Sequence, residues 1–89
     1  MADQRHVLFY EYVGDIVERR DPFRADHLSA IRAAKDDGRV LQAGPLGDPP
    51  NGAAIVFAER SAAEAFAQAD PYVTNGLVTS WRVELWTLV

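Results

Sequence analysis

Apolar and polar positions along the chain mark out four extended segments and two helical ones. The first extended segment, His6–Val13, is rich in aromatic and β-branched residues, which suit a pleated surface. Period-two spacing puts Val7, Phe9 and Val13 on one face and Leu8, Tyr10 and Tyr12 on the other. Both faces are largely apolar, so the segment predicts a central strand covered on both sides, broken by Gly14. Asp21-Pro22 then opens a helix. Asp21 is expected to cap the free amides of the first turn, and Pro22 fits the first helical position. Helical spacing gathers Phe23, Ile31 and Ala34 on one stripe, with Leu28 and Ala30 beside it. The helix runs to about Asp37, where Gly38 supplies the stop.

Arg39–Leu46 reads as a second strand running into a turn. Gly44–Gly52 holds three Gly and three Pro in nine residues and is expected to be a loop. Ala53–Ala58 is the third strand. Ser61 begins a second helix with a capping box, Ser61 to Glu64, and an apolar side of Ala62, Ala65, Phe66 and Ala69. Asp70-Pro71 ends that helix, because the residue before proline is pushed out of helical geometry. The same pair can cap a further short turn, Pro71–Asn75, closed by Gly76. Leu77–Val89 is the last strand, with Trp81, Val83 and Leu85 on one face and Trp86 and Leu88 on the other.

The order β-α-β-β-α-β with right-handed crossovers predicts an α+β, ferredoxin-like fold, a four-stranded antiparallel sheet with two helices on one face. The opposite face would expose aromatic and branched residues of the first and last strands. An apolar patch of that size is unusual on a monomer, so a homodimer packed sheet against sheet is expected.

Composition adds exclusions. Eighty-nine residues suit one domain spanning 1–89. A chain this short buries only about 60–65% of its unfolded surface, so a 48% hydrophobic content needs a further sink, which a partner subunit supplies. A net charge of −4 with a single lysine, Lys35, argues against nucleic acid, which demands clustered cations. No cysteine is present, so disulfides, cysteine metal sites and cysteine nucleophiles drop out. No run approaches the roughly 20 apolar residues of a membrane span, and a cytoplasmic protein is the default expectation.

His27 lies four residues after Phe23 and four before Ile31, on the buried stripe of the first helix. A titratable group there must be hydrogen-bonded, and imidazole suits proton transfer near neutral pH. It can equally be a satisfied core histidine. Asp70 sits in the turn after the second helix, where the topology lets it approach the start of the first. A carboxylate beside the imidazole would fix its tautomer, although Asp before Pro is also an ordinary cap. Gly44-Pro45 closes the second strand, where Gly would let a ligand approach the backbone. Tyr72 would offer a hydroxyl to a ligand or fill the core. Arg24, three residues before His27, would attract an anionic substrate or stay solvated. His6 has no evident partner. Neither the two histidines nor Asp21, Asp26, Asp36 and Asp37 show metal-site spacing.

As an ordered set, these residues resemble the YciI-like (YCII-related) family over nearly the whole chain. Arg24-Ala25-Asp26-His27-Leu28 is similar to its R-x-x-H-L motif, Ala43-Gly44-Pro45 to its A-G-P strand end, and Asp70-Pro71-Tyr72-Val73 with Gly76-Leu77 to its D-P-Y/F-x-x-x-G-L segment. One branch of the family carries D-G-P-F/Y near the second strand; Ala43-Gly44-Pro45-Leu46 departs from it. The resemblance implies a ferredoxin-like dimer, related in shape to muconolactone isomerases, with His27 and Asp70 as the catalytic pair. The reading is then a cofactor-independent isomerase or lyase acting on a small organic substrate, in a pocket with its mouth near Gly44–Pro49. The alternatives are a non-catalytic small-ligand binder or regulatory module, and a structural role in which His27 and Asp70 share only a core hydrogen bond.

Overall fold

The computed structural model describes residues 3–89. Its elements are β1 (Gln4–Tyr12), α1 (Ile16–Arg19), α2 (Asp21–Asp36), β2 (Val40–Leu46), β3 (Gly52–Phe57), α3 (Arg60–Ala69), α4 (Pro71–Thr74) and β4 (Val78–Thr87). The strands form one antiparallel sheet in the order β2-β3-β1-β4. β3 is thus inserted between the two strands that α2 connects, the split arrangement expected of β-α-β-β-α-β. No helix among the described residues is long and apolar enough to cross a membrane.

Strand alternation decides which side chains meet the helices. Leu8 and Tyr10 of β1 and Ile55 and Phe57 of β3 point to one face, where Ala34 of α2 and Ala63, Phe66 and Ala67 of α3 close over them. A smaller cluster of Ile16, Tyr72 and Leu77 extends this core at the end of the sheet where α1 and α4 lie. Val13 packs there, not beside Val7 and Phe9 as strict alternation predicted, because β1 has ended at Tyr12 after a register shift at Glu11/Tyr12. Gly52 is required by the β1–β3 pairing: a Cβ there would run into the Tyr10 carbonyl oxygen.

Local chemistry differs from expectation at three other places. Asp21 is not a cap. Arg20 ends α1 in helical geometry (φ −74°, ψ −23°), so the chain passes directly into α2, and Asp21 merely places a negative charge in its first turn. Ser61 is not a cap either. Extended Glu59 precedes the helix, no side chain caps it, and Glu64 pairs with Arg60 at 2.8 Å. Gly44–Leu46 belongs to the strand, pairing with Ala54–Gly52, and the loop shrinks to 47–51. Pro45 is tolerated because β2 is an edge strand.

The uncovered face is apolar at its centre and charged at its margin. Val7, Phe9, Ala54, Val56 and Trp86 share it, with Trp86 46% exposed. Arg82 lies 4.6 Å above the Phe9 ring and pairs with Glu84 at 3.8 Å.

Candidate active site

The α3–α4 junction turns a helix terminator into an anchor. Asp70 donates its amide to Phe66 O, ending α3, then adopts extended geometry (φ −65°, ψ 127°) because Pro71 follows. Its Oδ1 accepts the Tyr72 amide at 3.1 Å, capping α4. The carboxylate is 1% exposed. Tyr10, from the centre of the sheet, donates its hydroxyl to Oδ2 at 2.8 Å. His27, from α2, brings Nδ1 to 2.9 Å from both oxygens. A carboxylate already receiving two other donors acts only as an acceptor toward the imidazole, so Nδ1 carries a proton, and whenever the ring is neutral the lone pair is on Nε2. Nε2 has no hydrogen-bond partner among the described residues and is not cut off from solvent.

Aromatic rings hold the imidazole in plane. Tyr72 stacks on it with centroids 3.9 Å apart and planes 6° from parallel, and Tyr12 meets Tyr72 edge-on at 6.0 Å. Burial pushes the Tyr10 phenol far above its usual range, and the charge and hydrogen bond of Asp70 push it further. Burial likewise moves Tyr12 up to about 12, helped by Tyr72 and Asp70 and opposed by Arg20. Burial raises Tyr72 too, against the nearby Arg20 and Arg24 charges. All three phenols therefore stay protonated at neutral pH; the Tyr10 hydroxyl is committed to Asp70, while Tyr12 and Tyr72 line the cleft.

His27 borders a cleft of about 190 Å³. Arg20, Arg24, Tyr12 and Tyr72 line it, and Ile16, Leu28, Ile31 and Ile55 form its apolar walls. Gly44 and Pro45 edge it from β2, while Gly47–Pro49 do not reach it. The pairing of Gly44 with Ala54 aims its missing side chain at the open sheet face, so Gly44 contributes only backbone, and the space a Cβ would fill lies elsewhere. His6 is on the helix side of β1 with a buried, unpartnered Nδ1, and does not line the cleft. No cluster of three or more metal-ligating side chains occurs among the described residues.

The fold thus brings His27 and Asp70 into contact and sets Arg24, Gly44, Pro45 and Tyr72 around them. Three site residues escaped the sequence reading: Tyr10, Tyr12 and Arg20. Tyr10 and Tyr12 were visible only as one apolar strand face. Arg20 carried a usable signal, since 20, 24, 27 and 31 follow helical spacing and extend the His27 stripe backward past Pro22.

The YCII-related domain profile matches residues 4–87. Protein YciI of Escherichia coli O6:H1 is 34% identical over 83 residues, covering 81% of this chain and 85% of the relative, and Protein YciI of Shigella flexneri gives the same figures. Among solved structures, 5-chloro-2-hydroxyhydroquinone dehydrochlorinase (TftG) of Burkholderia phenoliruptrix AC1100, in complex with 2,5-dihydroxybenzoquinone, superposes with a TM-score of 0.74 at 18% identity, covering 92% of each chain. That likeness shows the same fold; the profile and the curated relatives establish that this chain belongs to the YCII-related family.

Proposed function

We propose that this protein is a cofactor-independent enzyme that uses His27 as general base and acid on a small organic substrate, with Asp70 as the residue that orients it. The observation that carries the reading is the imidazole itself, with Nδ1 bonded to a buried carboxylate at 2.9 Å and Nε2 left unbonded at a cleft. General bases need that combination of a fixed tautomer and a free lone pair within reach of a proton. Isomerisation and elimination both suit it, because each begins with a proton leaving carbon. The reaction named for the structural neighbour, a dehydrochlorination, likewise requires proton movement, and the molecule bound to it is a single flat ring of a size this cleft accommodates.

The test is exchange of carbon-bound hydrogen for deuterium in D2O, followed by NMR on a panel of enolisable and hydroxylated one-ring compounds. Wild type should accelerate exchange in at least one compound, and folded His27→Gln should not. Equal exchange by the two proteins would remove His27 from the chemistry; tight binding without any exchange would favour the ligand-binding alternative.

The protein works, in this proposal, as a homodimer through the open sheet face, whose exposed Trp86 and half-buried Phe9 and Ala54 a second copy would cover. Sedimentation at micromolar concentration should give twice the 9.8 kDa chain mass; a single-chain mass would refute it.

A further inference from the structure

Arg20 and Arg24 stand one helical turn apart across the junction of α1 and α2, and both line the cleft beside His27. Neither makes an ion pair or hydrogen bond among the described residues. Elsewhere four arginines pair with carboxylates, Arg19 with Asp15, Arg39 with Asp37, Arg60 with Glu64 and Arg82 with Glu84, and Arg5 donates to the Gln4 carbonyl. Arg32 is also unpaired, but it points away from the cleft into solvent. In a chain of net charge −4, two unpaired guanidinium groups at one cleft run against the overall balance. Their field reaches the interior of the site, since both oppose the rise of the Tyr72 phenol and Arg20 opposes that of Tyr12. The negative groups nearby are Asp70 and Asp21. Asp70 lies behind the imidazole and is occupied by three donors, while Asp21 is exposed on the first turn of α2.

The rest of the cleft defines shape. Its volume of about 190 Å³ falls below the roughly 300–1,000 Å³ typical of drug-sized ligand sites, so one small ring is what it holds. The Tyr72 ring and the apolar Leu28, Ile31 and Ile55 favour a flat, apolar body. Guanidinium groups favour a delocalised oxyanion, which they bind through paired N–H donors.

We infer that this site selects a flat, one-ring organic anion, such as an aromatic carboxylate or an ionised phenol, with its charge held by Arg20 and Arg24 and its ring beside His27 and Tyr72. The inference deepens the acid/base reading by naming its substrate class, but binding and proton transfer can fail separately. The probes are sodium benzoate and neutral benzamide, titrated into wild type, Arg20→Gln, Arg24→Gln and His27→Gln, with ring resonances of His27 or Tyr72 followed by NMR. Benzoate should shift these signals saturably and bind about tenfold or more tightly than benzamide, the scale of one charge-assisted hydrogen bond. Each arginine substitution should weaken benzoate about fivefold or more and leave benzamide where it was, and added NaCl should act in the same direction. His27→Gln should still bind benzoate while losing exchange activity, which separates the two readings. Equal affinity for benzoate and benzamide, absence of saturable shifts with benzoate, or benzoate binding indifferent to both arginine substitutions overturns the inference.

Discussion

The two edges of the His27 ring face opposite kinds of environment. At Nδ1 stands a fully enclosed carboxylate whose partners come from a helix, a strand and a helix junction. At Nε2 stands an open cleft with unpaired cations at its rim. The first side is built as protein interiors are, where each polar group is matched and loss of one leaves the others stranded. The second is built as a surface, where groups are solvated and their removal disturbs little. Stability should therefore depend on the Asp70 side, and selectivity on the arginine side.

Substitution of Asp70 should break that contrast most severely. Asp70→Ala leaves the Tyr10 hydroxyl, the His27 Nδ1–H and the Tyr72 amide without an acceptor, and should cost about 3–5 kcal/mol by denaturant unfolding. A loss under about 1 kcal/mol would mean that water enters freely and that the enclosure is illusory.

Tyr10→Phe removes one donor and keeps the ring, so a loss of about 1–2 kcal/mol at neutral pH is expected. The same variant sharpens the comparison at high pH. The folded-state pKa values of Tyr10 and Tyr12 are raised, so their contribution is fully present below the ordinary phenol value near 10. It is lost as pH rises from there through the folded values, about 12 for Tyr12 and higher for Tyr10. Wild-type stability should thus fall above pH ~10, by at most ~1.4 kcal/mol per pH unit for each such tyrosine. Tyr10→Phe should fall less steeply over the same window. Parallel curves for the two proteins would contradict the placement of Tyr10.

The smallest effect belongs to the rim. Arg20→Gln and Arg24→Gln should each stay within about 0.5 kcal/mol of wild type, since neither guanidinium has a partner to lose. A loss of more than about 1.5 kcal/mol would show that these arginines support the fold and would blur the division.

How much of this could be read from the residues alone follows the same division. Strand alternation and helix spacing located the sheet, the two main helices and the burial of His27, because those features depend on period and apolar content. Asp70 was recognisable because Asp-Pro-Tyr signals a cap, and a cap has a second carboxylate oxygen. Tyr10 was not, because nothing local distinguishes a tyrosine that fills space from one that donates across 60 residues of chain. The capping readings at Asp21 and Ser61 failed for a related reason. Each weighed only its own segment, whereas α1 in the first case and Glu59 in the second had already determined how the chain entered the helix. Gly44–Leu46 looked like a loop by composition, and pairing with β3 made it strand.

The Tyr72 amide hydrogen bond to Asp70 has a consequence in time. α4 is a single turn, and its first amide closes on the same carboxylate that holds the imidazole. When that turn opens, Asp70 loses one of its three donors, and the imidazole loses the Tyr72 ring stacked on it. A single turn opens locally more often than a whole domain unfolds. The exchange of one backbone hydrogen with solvent, at Tyr72, therefore keeps count of how often the imidazole is clasped and let go.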